Sequence, residues 1–158
     1  MIYEFRTYDI KPRTVDQFGE NTKAKLAKRL EFSPLGGFWY TEMGPLNQVV
    51  HIWPYEDSNH RSEVRSKAVS GGDWPPDNND IILNMESEIM LPAPFMRPLE
   101  PKNMGPIYEM RIYTYKPGDI PKVLDAWGAA IEIREEYSPL VGCWYSDIGG
   151  LNKFIHMW

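Results

Sequence analysis

Residues 2–10, IYEFRTYDI, alternate apolar and polar side chains, the period of a strand with one buried face. Over 13–32 the period lengthens. Val15, Phe18, Thr22, Leu26 and Leu30 fall at spacings that stack them along one side of a helix of about five turns. Pro34 and Gly36-Gly37 stop that helix. Two β-prone runs, near 37–43 and 48–54, flank Gly44-Pro45-Leu46-Asn47 and predict a hairpin. Asp57 or Ser58 is placed to cap a second helix over about 58–70, whose first N–H groups lack internal acceptors. The loop Gly71 to Asn79 breaks it. Residues 80–91 alternate again, with Ile81, Leu83, Met85, Ile89 and Leu91 opposite Asn84, Glu86 and Glu88. The order β-α-β-β-α-β is the split-βαβ, ferredoxin-like arrangement.

The chain then repeats itself. Residues 3–53 and 108–158 align without a gap at a constant offset, and 20 of the 51 aligned positions are identical. Ile120, Val123, Trp127 and Ile131 stand at the helix-stripe positions of the first copy. Between the copies, Pro92, Pro94, Pro98, Pro101 and Pro106 exclude a central strand or helix and predict a stiff linker over 92–106. The expected organisation is an α+β chain of tandem ferredoxin-like units. A first unit spans 1–91, and a partial second unit, βαββ, spans 107–158 and stops short of a second helix and fourth strand. The expectation is a truncated product.

Comparing the copies separates the two faces of the sheet. Glu4, Arg6 and Tyr8 share one face of the first strand and recur as Glu109, Arg111 and Tyr113. His51 and Trp53 recur as His156 and Trp158, Tyr40 as Tyr145, and Glu42 as the charge-conserving Asp147. The other face drifts among apolar residues and is expected to pack on the helices, where volume-conserving swaps are tolerated. The kept polar-aromatic face is expected to meet its counterpart in a twofold, barrel-like body that encloses a small-molecule cavity. Its candidate ligand-binding residues are Glu4, Arg6, Tyr8, Tyr40, Glu42, His51, Trp53, Glu109, Arg111, Tyr113, Tyr145, Asp147 and His156. His51, Glu42, Arg6 and Tyr40 are the catalytic candidates, because a histidine near a carboxylate can serve as a base and an arginine can stabilise an oxyanion. Opposed to this stands a structural reading, with Glu4 and Arg6 as an ion pair bracing the sheet and the tryptophans as packing.

Charge and composition narrow the function classes. The balance of 17 basic and 22 acidic residues gives a net charge of −5, without the basic footprint of a nucleic-acid binder. One histidine and one or two carboxylates per unit are too few for a metal site, so none is expected, nor any cofactor. Gly71-Gly72 lacks dinucleotide-loop spacing, and no G-x-S-x-G elbow occurs. The single cysteine, Cys143, excludes an intrachain disulfide and reads as a small core residue. His60, Arg61, Arg65 and Lys67 read as a solvated helix face. With no signal sequence, presequence or apolar run of membrane length, the expectation is a cytoplasmic protein without membrane insertion. An uncovered aromatic sheet face predicts self-association through sheet faces, within the chain or as a homo-oligomer.

YEFRTYDIKP, SPLGGFWYTEMGPLNQVVHIWPYEDSNHR and ESEIMLPAPFMRPL together resemble the NIPSNAP family over essentially the whole chain. The string at 39–55 is long and specific. The resemblance implies the dimeric α/β-barrel fold but no defined chemical activity. By fold analogy it leaves open a cofactor-independent oxygenase or isomerase, and the alternative is an interaction module that recruits protein partners. The mitochondrial association of animal members is not carried over.

Overall fold

The first alternating run becomes β1 (Ile2–Ile10) in a computed structural model that describes residues 1–158. It is followed by α1 (Val15–Leu30), β2 (Gly37–Tyr40), β3 (Gln48–Tyr55), α2 (Ser58–Ser70) and β4 (Ile82–Pro92). The strand order β2-β3-β1-β4 is that of a ferredoxin-like unit. Asp57 caps α2 by accepting a hydrogen bond from the His60 N–H at 2.9 Å. Two compact units divide at Ser87 and Glu88, within β4.

The second unit, Glu88–Trp158, holds the end of β4 with β5 (Met110–Thr114), α3 (Ile120–Glu135), β6 (Gly142–Ile148) and β7 (Lys153–Met157). Its order is β4-β6-β7-β5. The proline-rich stretch does more than space the repeats. Ala93, Phe95 and Met96 pack with Ile131, Leu140, Cys143 and Phe154 in the core of this unit.

Both hairpins use the same backbone device. Gly44 and Asn47 have positive φ, and so do their counterparts Gly149 and Asn152. Glycine and asparagine are the residues that enter this region at least cost, which accounts for their retention in both copies.

The register brings the kept residues onto one face, since Arg6 lies opposite His51, Glu4 opposite Trp53, and Arg111 opposite His156. What covers that face differs from the expectation. In the first unit Tyr8, Val49 and Phe38 pack on Phe18 and Val15 of α1. In the second, Phe154 and Cys143 pack on Ile131 of α3, with Trp127 and Val123. In each unit the kept face is therefore the one on the helix side, under α1 in the first and α3 in the second. The drifting face carries Tyr3, Phe5 and Ile52, all buried. Sequence drift was a poor guide, because the retained positions are those that make specific polar and aromatic contacts with the helices. The helix stripe is corrected too. Leu30 is exposed, and Arg29 takes the inner position with Phe18 and Thr22.

Candidate functional site

The site grows from the strand pair β1 and β3, where alternation puts Glu4, Arg6, Tyr8, His51, Trp53 and Tyr55 on the helix side. Glu4 is fully buried. Its Oε1 accepts from Arg6 Nη1 at 3.1 Å, Arg61 Nη2 at 2.7 Å and the Ser87 hydroxyl at 2.8 Å, with Arg65 Nη1 at 3.6 Å. Burial raises the Glu4 carboxyl, but the Arg61 hydrogen bond, the charges of Arg65 and Arg6, and Ser87 outweigh it and hold it at about 2. Glu4 is therefore ionised. Arg61 and Arg65 are thus not the solvated helix face that their sequence position suggested. They reach from α2 to a buried carboxylate.

His51 is buried between rings. Tyr8 stacks on it at 5.2 Å between centroids, and Phe38 at 5.9 Å. Its Nδ1 accepts the indole N–H of Trp53 at 2.6 Å. A neutral imidazole that accepts at Nδ1 carries its proton on Nε2. Burial, with the charges of Arg6, Arg29 and Arg65, pushes the His51 pKa from 6.5 to about 3. The ring is neutral and a hydrogen-bond donor, which does not suit it to the role of general base.

Arg29 enters from α1 and lies over the Trp53 ring at 4.1 Å, a cation–π contact. It donates to the Ser33 hydroxyl at 2.8 Å and the Tyr55 hydroxyl at 3.0 Å. Only 3% of it is exposed, and no carboxylate pairs with it. Burial and the nearby Arg65 lower its pKa.

A cleft of about 100 Å³ opens within the first unit beside these groups. It is lined by Arg6, Tyr8, Arg29, His51, Trp53 and Tyr55, closed from α2 by Arg65 and Val69, and from the following loop by Trp74 and Pro75. Of the sequence candidates, Arg6, Tyr8, His51 and Trp53 reach it, and Glu4 braces its arginines. Tyr40 is 53% exposed at the end of β2, and Glu42 is exposed beyond that strand. Neither lines the cleft. Arg29, Tyr55 and Trp74 escaped the sequence reading, and Arg65 was read only as part of a solvated helix face. Arg29 left a signal, its identity with Arg134 at the repeat offset, whereas Trp74 left none.

The second unit rebuilds the framework. Trp158 donates to His156 Nδ1 at 2.6 Å, Tyr113 stacks on His156 at 5.4 Å, and Arg134 lies over Trp158 at 3.9 Å. Burial and the charge of Arg111 lower the His156 pKa to about 4. Two differences matter. Glu109 and Arg111 pair at 2.9 Å with both side chains half exposed. Trp127, aligned with Thr22, lays its ring against His156 at 4.5 Å and Phe154 at 5.0 Å. Tyr145 joins the core of this unit, while Asp147 is exposed.

These features define an α+β protein of two related units, the first with ferredoxin-like strand order, each carrying an aromatic, histidine and arginine framework on the helix side of its sheet. The chain belongs to the NIPSNAP family, whose model matches residues 3–97 and 108–158. It is 34% identical over 165 residues to human protein NipSnap homolog 3B, covering 99% of this chain and 66% of that protein. The figures for human NipSnap homolog 3A are 33%, 100% and 66%. The chain thus spans just under two thirds of these relatives. A NIPSNAP-like domain protein from Burkholderia xenovorans matches in structure with a TM-score of 0.58 at 34% identity, covering 63% of this chain and 91% of that one. A monooxygenase-type protein from Lactobacillus acidophilus shares the fold over 99% of this chain and 76% of its own, with a TM-score of 0.64 at 12% identity. No helix is long and apolar enough to cross a membrane.

Proposed function

We propose that the first unit binds a small molecule in the cleft between its sheet and its helices. The observation that carries this reading is the contrast between the copies. The same His, Trp, Tyr and Arg framework occurs in both, yet Trp127 lies on the histidine of the second, while His51 of the first borders open space. Aromatic walls with a few convergent polar groups are the usual form of a ligand site. Compared with the expectation, the cavity moves from between two sheet faces to beneath α1 and α2 of one unit.

Binding, without an assigned turnover, is the function this geometry supports. His51 holds its proton on Nε2 and resists a second one, so it orients a ligand by donation. The oxygenase and isomerase readings rest on fold analogy alone, and a fold hosts many chemistries. Ligand-observed NMR against a fragment library tests the proposal on the wild-type chain and on Val69→Trp, which sets an indole at a lining position of the cleft. Fragments that bind the wild type and lose their signal in the variant support it. A library in which no fragment distinguishes the two proteins overturns it.

A further inference from the structure

We infer that the ligand of this cleft is a small organic carboxylate on a flat apolar body. The inference rests on the binding function proposed above and names the chemical class. Its first support is charge. Arg6, Arg29 and Arg65 line the cleft, and the carboxylate beside them is Glu4, whose Oε1 already serves Arg6, Arg65 and, behind the lining, Arg61. Arg29 donates only to the neutral oxygens of Ser33 and Tyr55, and otherwise lies over the Trp53 ring. Burying a guanidinium without a counter-charge is unfavourable, and a carboxylate in the cleft would supply one through charge-assisted hydrogen bonding. Its counterpart Arg134, in the unit whose histidine Trp127 covers, is exposed to solvent. A buried, unpaired arginine thus accompanies the open cleft.

The second support is shape. About 100 Å³ falls below the roughly 300 Å³ at which typical pockets for drug-sized ligands begin, and below the roughly 150 Å³ of an engineered cavity that holds benzene. The space is too small to enclose a whole ring, so a single ring enters only in part, from the open side of the cleft, and a nucleotide is excluded. The walls are flat: Tyr8, Trp53, Tyr55 and Trp74 line the space, with Trp53 and Trp74 edge to face at 5.9 Å. In the second unit a planar group, the Trp127 indole, lies against His156 and is inclined at 29° to Trp158 at 6.3 Å. Trp53 lines the cleft as the counterpart of Trp158, while the His51 ring already stacks with Tyr8 and Phe38. The protein's own indole thus shows that the framework accepts a planar group.

The test is calorimetric titration of the full chain with benzoate, with benzamide as its neutral isostere, and with inorganic phosphate. Saturable benzoate binding at least about tenfold tighter than benzamide, weakened about ten- to hundredfold in Arg29→Gln, supports the inference. Arg65→Gln, at a partly exposed position on α2, gives the same reading should Arg29→Gln fail to fold. Equal affinity for benzamide overturns the anionic class and leaves the binding cleft standing. Phosphate binding as tight as benzoate overturns the flat organic body in favour of a bare oxyanion. Binding unchanged in both arginine variants places the probe elsewhere and overturns the inference. No binding by any of the three probes also overturns it, while the fragment screen decides the parent proposal separately.

Discussion

The indole N–H of Trp53 donates to Nδ1 of His51 at 2.6 Å, and Trp158 does the same to His156. On β3 and at the end of β7 the two residues stand two apart, so both side chains leave the sheet on one face and meet without any turn. The bond sets the tautomer of both histidines. Trp53→Phe removes the donor while keeping most of the ring. Expected is a loss of about 1–3 kcal/mol from the orphaned ring nitrogen, with the proton moving between Nδ1 and Nε2. Urea unfolding and nitrogen chemical shifts of the imidazole measure the two effects. A tautomer unchanged in the variant would show that Trp53 does not control it.

Acid acts on the same pair of histidines. Both native rings have pKa values depressed below 6.5, to about 3 for His51 and about 4 for His156. Below pH 6.5 the unfolded chain therefore binds protons that the native chain refuses. Stability is full above that pH and falls as pH drops toward 4, at about 1.4 kcal/mol per pH unit for a fully protected histidine. His51→Gln should flatten the profile of urea midpoint against pH between 6.5 and 4. An equally steep profile in the variant would exclude His51 as a source.

Glu4 and Glu109 occupy equivalent places with unequal consequences. Glu4→Gln leaves Arg6, Arg61 and Arg65 facing a neutral amide in a buried setting, and a loss of about 3–5 kcal/mol is expected. Glu109→Gln breaks a half-exposed pair and should cost less than about 1 kcal/mol. Paired denaturation curves check the difference. Equal losses would refute burial as the cause of the asymmetry.

Two glycines make room for tryptophans. A Cβ at Gly37 would fall 2.0 Å from the Trp39 ring, and one at Gly142 would fall 2.0 Å from the Trp144 ring. Trp144 is fully buried, whereas Trp39 is partly exposed and freer to swing away. Gly142→Ala is expected to destabilise by about 1–3 kcal/mol and Gly37→Ala by less. Thermal melts rank the two, and the reverse order would contradict the difference in packing.

Trp127 reports on the difference between the units. Trp127→Thr removes a ring packed on Phe154 and His156, which should cost about 3–5 kcal/mol and open a cavity in the second unit. Calorimetry gives the loss, and benzene or xenon uptake detects the cavity. A loss below about 1 kcal/mol would mean that the ring is not a filler.

Strand and helix order, the hairpins with their Gly and Asn positions, and the duplication itself were legible in the sequence, because each rests on local periodicity, turn chemistry or direct identity. So was the sharing of one face by Arg6, Tyr8, His51 and Trp53, since a period of two allows no other placement once the strands pair in register. The partners of those residues were not legible. Nothing in local pattern says that Arg61 and Arg65 of a polar helix reach a glutamate 57 and 61 positions earlier, or that Trp74 closes a cleft from a loop. Alternation also cannot tell which face of a sheet its helices cover. That choice is made by the crossover connections, and they placed the polar-aromatic face inward, under α1 and α2, where a buried arginine without a counter-charge makes the candidate site.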